Sequence, residues 1–151
     1  MYVLGIDCDK SGFSFVVLDR DEDASASLIA DGHRLAPANS TRQGSLSWIH
    51  NEVLDLSSQF SPVVAGLKRA DIGVNLSNSI LEHAEVDGAV QAALGSLGTP
   101  CESLQWKSLA SRLGSTSKPL ALADLKSRQQ FRNVARSRMA ALGMALVAKT
   151  R

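Results

Sequence analysis

The stretch "VLGIDCDKSGFSFVVLD" (Val3–Asp19) contains two apolar runs separated by a short polar segment. Apolar runs of this length between turn-forming residues are typical of buried strands. We predict a strand over 2–8, a turn over 9–12 and an antiparallel second strand over 12–19. The first strand ends near Asp7, from where a carboxylate can reach a divalent cation. Many hairpins that bind no metal share this pattern, so the stretch alone leaves the role of Asp7 open.

The next segments extend the sheet and then change to a helical period. After a charged turn over 19–23, a third strand is predicted over 25–35, with an interruption at Asp31-Gly32. The first helix is predicted from apolar residues that step by three and four along one face: Leu46, Ile49, Val53, Leu56 and Phe60.

The rest of the chain alternates between strand and helix. The predicted elements are a strand over 62–67, a helix over 78–97, a strand over 100–104, a helix over 106–113 and a terminal helix over 120–149 with a break near Ser127. Gly114 supplies a left-handed end to the short helix. The helix over 78–97 is expected to face the sheet with a smooth seam of small residues: Ala84, Gly88, Ala92 and Gly95.

This order of elements predicts the fold class. Three meandering strands followed by alternating helices and strands (β-β-β-α-β-α-β-α) imply an α/β protein with a mixed five-stranded sheet and helices on both faces. The strand that begins at Tyr2 should be central, between the strands that begin at Gly12 and Pro62. A length of 151 residues suits one domain over 1–151.

Charge is distributed unevenly along the chain. Residues 1–104 hold 14 acidic and six basic side chains, whereas residues 105–151 hold ten basic side chains and one acidic side chain. A basic segment of this kind favours a polyanion such as DNA or RNA as a partner. It is equally compatible with a basic helix that pairs with acidic elements of the same domain.

Cysteine usage and hydropathy indicate the compartment. Cys8 and Cys101 are the two cysteines, and they lack the spacing of a zinc or redox motif, so we expect reduced core residues. No apolar run approaches the roughly 20 residues of a membrane span, and no targeting segment is evident. We therefore expect a cytoplasmic protein without a membrane partner.

Motifs at both ends of the chain resemble the ribonuclease H-like superfamily, in particular the RuvC-type Holliday-junction resolvases and their chloroplast relatives. These motifs are "GIDCDKSG" at 5–12, "WKSLASRLG" at 106–114 and the Ala-rich "ARSRMAALGMALVAK" at 135–149. The segments "EVDGAVQAAL" and "FRNVARSRMAAL" also resemble those of small uncharacterised bacterial proteins of this fold. The resemblance implies the same fold along nearly the whole chain.

The resemblance also implies a centre of four carboxylates that hold two Mg²⁺ ions for phosphodiester cleavage. Asp7 matches the first carboxylate. The other three positions carry residues without carboxylates: Lys68, then Ser137 and Ala140, or Arg136 and Met139 in the neighbouring register. A lysine beside a metal repels the ion. The motif therefore predicts that most of the resolvase ligands are missing.

A Mg²⁺-dependent nuclease remains an alternative if acids come from other positions. Asp9 is a candidate second metal ligand beside Asp7, and Glu85 is a candidate catalytic acid that faces the sheet from its helix. Glu82 and Asp71 are further candidates. Without such a relocation, we expect no cofactor, and Glu85 belongs to a solvated helix shoulder.

Basic side chains of the last helical segments are candidate phosphate contacts. The predicted nucleic-acid-binding residues are Lys107, Arg112, Arg128, Arg132 and Arg136, within a basic segment that also holds Lys118 and Lys126. The last three of the five step by four along one face of the predicted terminal helix. Arg138 falls among apolar residues, so it should be partly buried and paired with Glu85 or Asp7.

Histidine and serine give no motif of their own. His33, His50 and His83 share no ligand spacing, which argues against a histidine metal site. Ser14 and the other serines lack the context of a catalytic nucleophile.

These observations lead to three functional hypotheses. The first is a catalytically degenerate resolvase-like domain that binds nucleic acid or acts as a scaffold. The second is a structure-specific nuclease with relocated acids. The third is a protein-interaction domain that forms a homodimer through the helix over 78–97.

Overall fold

The structure is a computed structural model that describes residues 1–21 and 25–149. Its elements are β1 (Tyr2–Cys8), β2 (Gly12–Arg20), β3 (Ala26–Leu35), α1 (Arg42–Phe60), β4 (Val64–Lys68), α2 (Asn78–Ser96), β5 (Cys101–Leu104), α3 (Trp106–Arg112), α4 (Lys118–Ser127) and α5 (Met139–Val147). The charged turn predicted over 19–23 lies partly outside the described residues. No helix within the described ranges has the length and apolar character needed to cross a membrane.

The five strands form one mixed sheet in the order β3-β2-β1-β4-β5. β1 is central, pairs antiparallel with β2 and pairs parallel with β4. This confirms the predicted fold class and the predicted position of the first strand. The left-handed conformation of Gly114, with a φ of 77°, also ends α3 as predicted.

Alternate residues of β1 contact helices on opposite faces of the sheet. Leu4, Ile6 and Cys8 pack with α1 and α2 in one apolar core. Val3 packs with α5 in a second core on the other face. Asp7 lies on the α5 face, because side chains along a strand alternate with a period of two.

Two glycines bring α5 unusually close to the sheet. Gly5 and Gly66 are direct partners in the ladder between β1 and β4. A Cβ atom at Gly5 would overlap the carbonyl oxygen of Ala141, and one at Gly66 would lie 2.7 Å from the carbonyl oxygen of Met144. The backbone of α5 therefore rests directly on the strands, which brings the beginning of α5 close to Asp7.

The third strand is continuous, so the predicted interruption at Asp31-Gly32 is wrong. The register between β2 and β3 shifts instead between Val17 and Leu18, whose partners Ala30 and Leu28 leave Ile29 as an extra residue in β3. Gly32 is required by packing, because a Cβ there would lie 2.8 Å from the ring of Phe15. Glycine at position 32 therefore reflects the close approach of the Phe15 ring and does not mark a break in the strand.

The terminal segment does not form one long helix. α4 ends at Ser127, where a break was predicted, but residues 128–138 then form an irregular connection with two 3₁₀ turns, Gln129–Phe131 and Arg136–Arg138. Phe131 is fully buried in this connection. Burial of the phenyl ring against the sheet stabilises the irregular path, which helical periodicity does not anticipate.

The small residues of α2 face away from the sheet. Ala84, Gly88 and Ala92 are exposed, whereas the buried face consists of larger residues such as Val86 and Val90. The predicted small-residue seam against the sheet is therefore wrong. Larger apolar side chains give more buried area on the sheet side, and this favours the observed rotation of the helix.

Candidate functional site

Four polar side chains form a row across the sheet at the end of β1. Lys68 of β4 is the ladder partner of Asp7, Asp7 is the partner of Ser14 in β2, and Ser14 is the partner of His33 in β3. Directly paired residues project to the same face of a sheet. The row therefore lies on the α5 face, at the beginning of that helix.

Lys68 is buried, and its ammonium group is neutralised locally. Its Nζ donates a hydrogen bond to Oδ2 of Asp71 at 2.7 Å, and Oδ1 of Asp71 accepts from the Trp106 N–H at 2.9 Å. Burial raises the pKa of Asp71, but these hydrogen bonds outweigh burial and hold it below the usual value. The chain leaving β4 is thereby tied to the start of α3.

Asp7 is partly buried in this row. Burial raises the pKa of its carboxyl group to about 6, although the positive charge of Lys68 opposes the shift. The charge of Lys68 does not cancel the effect of burial, and the ammonium group of Lys68 is hydrogen-bonded to Asp71.

Two clefts of opposite character meet at Asp7 and Ser137. The acidic cleft is lined by Asp7, Cys8, Asp9, Ser14, His33 and Ser137. The basic groove is lined by Asp7, Trp106, Lys118, Leu122, Arg136, Ser137 and Ala140, and it continues past Arg136 to Lys126. The ammonium group of Lys118 lies 5.0 Å from the ring centre of Trp106, a cation–π contact that orients it.

The predicted phosphate contacts are spread over several places. Arg128, Arg132 and Arg136 lie in the irregular connection, so the prediction that they share one helix face is wrong. Arg128 pairs with Asp124 at 2.9 Å, and Arg112 pairs with Glu102 at 2.7 Å. Ion pairs within the domain therefore account for part of the basic segment.

The remaining basic residues differ in position. Lys107 and Arg132 are exposed, and Lys107 lies beside Arg112 in a shallow depression after β5. Arg136 lines the basic groove. Of the five predicted residues, Arg136 is therefore the one that the structure brings next to Asp7 in a cleft.

Glu85 does not face the sheet as the relocated-acid hypothesis requires, and lies instead on the solvated shoulder of α2 that was the alternative prediction. It is exposed, and its Oε2 accepts from Nε of Arg42 at 2.6 Å. Arg42 also donates to the carbonyl oxygens of Lys10 and Glu82. This arginine links α1, α2 and the β1–β2 turn, and it holds Glu85 on the outer side of its helix.

Arg138 is partly buried as predicted, but its partner is another residue. Its Nη1 donates to Oδ2 of Asp31 at 2.6 Å. Glu85 lies on α2, which packs on the opposite face of the sheet. The 3₁₀ turn that contains Arg138 packs against β3, and this contact brings Arg138 to Asp31 in the middle of that strand.

Sequence reasoning missed a buried acid that supports the site from α2. Asp87 is 5% exposed and accepts from the Ala70 N–H at 2.8 Å, and Nε2 of His83 lies 3.4 Å from its other oxygen. The i, i+4 spacing of a histidine and an acid was the available signal. The pair fixes the loop that follows Lys68.

The residues around Asp7 do not fit a two-metal centre built on four carboxylates. Lys68 lies beside Asp7 in the ladder, and Ser137 and Ala140 lie with it in the basic groove. In the part of the chain that the structure describes, no three acidic, histidine or cysteine side chains are grouped so as to hold a metal ion. Two hard divalent ions would need several oxygen ligands at this point.

Comparison with solved structures finds the same architecture in Holliday-junction resolvases. Thermus thermophilus RuvC matches with a TM-score of 0.82 at 18% sequence identity, over 99% of each chain. The structure of T. thermophilus RuvC in complex with a Holliday junction substrate matches equally well, over 97% of this chain and 92% of that one, also with a TM-score of 0.82 and 18% identity. The yeast mitochondrial resolvase Ydc2 matches with a TM-score of 0.66 at 16% identity, over 95% of this chain and 77% of that one.

No protein-family model matches the chain, and a search of curated proteins also finds no match. The likeness to the resolvases is therefore one of fold. The chain has the ribonuclease H-like, RuvC-like fold that the element order and the motifs predicted.

Proposed function

We propose that this protein is a nucleic-acid-binding domain of resolvase fold that binds phosphates without a four-carboxylate metal centre. The observation that carries the proposal is the basic groove, in which Lys118, Arg136 and Lys126 follow one another away from Asp7. Cationic side chains along a groove neutralise successive phosphates of a nucleic acid. The groove ends at the row where the resemblance implies that a resolvase holds its metals.

Two further features support this proposal. The T. thermophilus RuvC structure of the same fold is a complex with a Holliday junction substrate, so the architecture is compatible with branched DNA. The cation–π contact with Trp106 reduces the freedom of Lys118, which lowers the entropy lost when the ammonium group contacts a phosphate.

Binding is measured by fluorescence anisotropy with labelled junction, single-stranded and duplex DNA, with EDTA present. With about three phosphates neutralised, log affinity should fall against log salt with a slope of roughly −2 to −3. The variant Lys118→Gln/Lys126→Gln/Arg136→Gln should remove most of this slope. Binding that requires Mg²⁺, or no binding even at about 50 mM salt, would contradict the proposal.

A matched control separates the groove from general positive charge. The variant Lys107→Gln/Arg132→Gln/Lys149→Gln removes the same net charge from exposed positions outside the basic groove. It should retain most of the affinity. An equal loss in both triple variants would show that charge alone, and not the groove, determines binding.

The Mg²⁺-dependent nuclease is the competing proposal, and one assay decides between them. Branched, flapped and single-stranded DNA and an RNA–DNA hybrid are incubated with the protein in Mg²⁺ or Mn²⁺. We expect no cleavage. Cleavage that disappears in Asp7→Asn would establish the nuclease with relocated acids instead.

Homodimer formation through α2 stays a prediction. Ala84, Gly88 and Ala92 form an exposed stripe of small residues, and Leu81 and Leu97 beside it are about half exposed. A second copy of the helix can approach closely over such residues. Light scattering measures the molar mass of the wild type and of Gly88→Arg, whose side chain should block the contact between helices. A wild type that is monomeric at all concentrations would exclude the dimer.

A further inference from the structure

We propose that Asp9 and His33 form a divalent transition-metal site in the acidic cleft, on the opposite side of Asp7 from the basic groove. This inference goes beyond nucleic-acid binding, because the two side chains would hold the ion in the free protein. It rests on the orientation of each side chain, on the distance between them and on the open cleft in front of them.

His33 is held by a buried hydroxyl group. Its Nδ1 lies 3.0 Å from Oγ of Ser14, and Ser14 is 6% exposed. In the tautomer in which Nδ1 donates to this oxygen, Nε2 carries a lone pair directed towards Asp9. Metal-binding histidines are typically oriented by such a contact from the second ring nitrogen.

Asp9 is oriented in the same manner by its own turn. Its Oδ1 accepts from the Ser11 N–H at 2.8 Å. Its Oδ2 is the oxygen directed at His33, 3.8 Å from Nε2. Each candidate ligand therefore uses one polar atom for orientation within the protein and presents the other to the cleft.

The distance between Nε2 and Oδ2 is too long for a direct hydrogen bond, and a shift of about 0.4–0.8 Å would bring both atoms to the separation of two ligands on one ion. At 3.8 Å it exceeds the usual range of a hydrogen bond. Two ligands about 2.1 Å from one ion, at angles of 90–110°, lie roughly 3.0–3.4 Å apart. The side chains are 39% and 51% exposed, so a shift of this size meets little resistance.

The His83–Asp87 pair shows what a purely structural arrangement looks like in the same protein. Its side chains are 20% and 7% exposed, and Asp87 is committed to the backbone of Ala70. The Asp9–His33 pair instead opens into a cleft of about 370 Å³ that also contains Asp7 and Ser137.

The ligand set indicates the class of metal. One imidazole nitrogen and one carboxylate oxygen favour Mn²⁺, Co²⁺, Ni²⁺ or Zn²⁺ over Mg²⁺. Among the described residues, no third acidic, histidine or cysteine side chain joins Asp9 and His33. The protein therefore supplies two ligands. Water completes the coordination shell, and a phosphate oxygen can replace one water when a nucleic acid is bound.

The test uses the full untagged chain without nucleic acid. Titration calorimetry with Co²⁺ and electron paramagnetic resonance with Mn²⁺ should each show one bound ion. Asp9→Asn and His33→Gln should weaken binding about tenfold or more, and Ser14→Ala about tenfold, because it removes the orienting hydroxyl. The controls Asp55→Asn and His50→Gln change the same residue types on α1 and should bind normally.

A second measurement does not depend on the variants. In the wild type, Mn²⁺ should broaden the imidazole resonances of His33 at ratios that leave those of His50 unchanged. No broadening of His33, or Co²⁺ binding that Asp9→Asn and His33→Gln leave intact, would overturn the proposal. Loss of nucleic-acid binding with metal binding retained would overturn only the proposed function.

Discussion

Lys68 and Asp71 control the charge beside Asp7. The ammonium group of Lys68 is buried against the ladder partner Asp7, yet its hydrogen bond goes to Asp71 at 2.7 Å. A buried ammonium group is costly unless a carboxylate neutralises it. Asp71 supplies that charge and also accepts from the Trp106 N–H, so one carboxylate supports both the lysine and the start of α3.

The variant Asp71→Asn tests this role through pH. A carboxyl group whose pKa is lowered in the folded state adds stability above its unfolded pKa and loses it as pH falls through the folded value. We expect a loss of about 1–2 kcal/mol in the free energy of unfolding at pH 7, since Asp71 is partly exposed. The loss should shrink below roughly pH 4.

Urea unfolding at neutral and acidic pH measures the difference. Asp55→Asn, an exposed acid on α1, is the control and should have little effect at either pH. An equal loss for Asp71→Asn at both pH values would mean that shape, and not charge, accounts for its contribution.

The position of α5 is determined by contacts along the helix and at its C-terminal end. Gly5 and Gly66 let its backbone rest on β1 and β4. At its C-terminal end, Nη1 of Arg20 donates to the carbonyl oxygens of Ala145, Leu146 and Ala148. These carbonyls have no partner within the helix, so a side-chain donor satisfies them. The clefts on both sides of Asp7 therefore depend on how this helix sits.

Gly5→Ala should displace α5. The added methyl group meets backbone atoms of Ala141 and Ala145, which cannot move without the helix. We expect a loss of about 3 kcal/mol or more in the free energy of unfolding, because overpacking of this kind forces backbone shifts. Chemical denaturation measures it.

Gly95→Ala is the matched control within a helix. A Cβ at Gly95 meets nothing within 4 Å, and alanine is favoured over glycine in helices by about 1 kcal/mol. This variant should be neutral or stabilising. If Gly5→Ala were equally harmless, the close contact between α5 and the sheet would not be required for stability.

Over the whole molecule, opposite charges are separated across Asp7. Acidic and histidine side chains line the cleft towards β3, and lysine and arginine line the groove towards α4. A net charge of +1 conceals this polarity. A nucleic acid would be attracted to one side and a cation to the other, with Asp7 and Ser137 at the boundary.

Restoring carboxylates should convert the centre of the molecule into a metal site. The variant Lys68→Glu/Ser137→Asp/Ala140→Asp places three acids around Asp7, at positions implied by the resemblance to the resolvases. Like charges should lower the Tm of the metal-free variant. About 10 mM Mg²⁺ should then raise its Tm by several degrees, as a ligand that binds the folded state does.

Differential scanning fluorimetry with and without Mg²⁺ provides the measurement. The wild type and a quadruple variant that adds Asp7→Asn are the controls, and neither should respond to Mg²⁺ to the same extent. A Tm of the triple variant that is unchanged by Mg²⁺ would show that these positions do not converge on one ion.

The sequence by itself determined most of the strands and helices and the central position of the first strand, because apolar periodicity is a local property: strands alternate, and helices step by three and four. The resemblance to the resolvases also placed Lys68 beside Asp7, and the two residues are ladder partners in the sheet. Tertiary structure decided which residues of α2 face the sheet, the path of residues 128–138 and the partner of Arg138. It also brought Asp9 to His33. Each of these depends on contacts between residues far apart in the chain, where burial of large side chains such as Phe131 outweighs local helical preference.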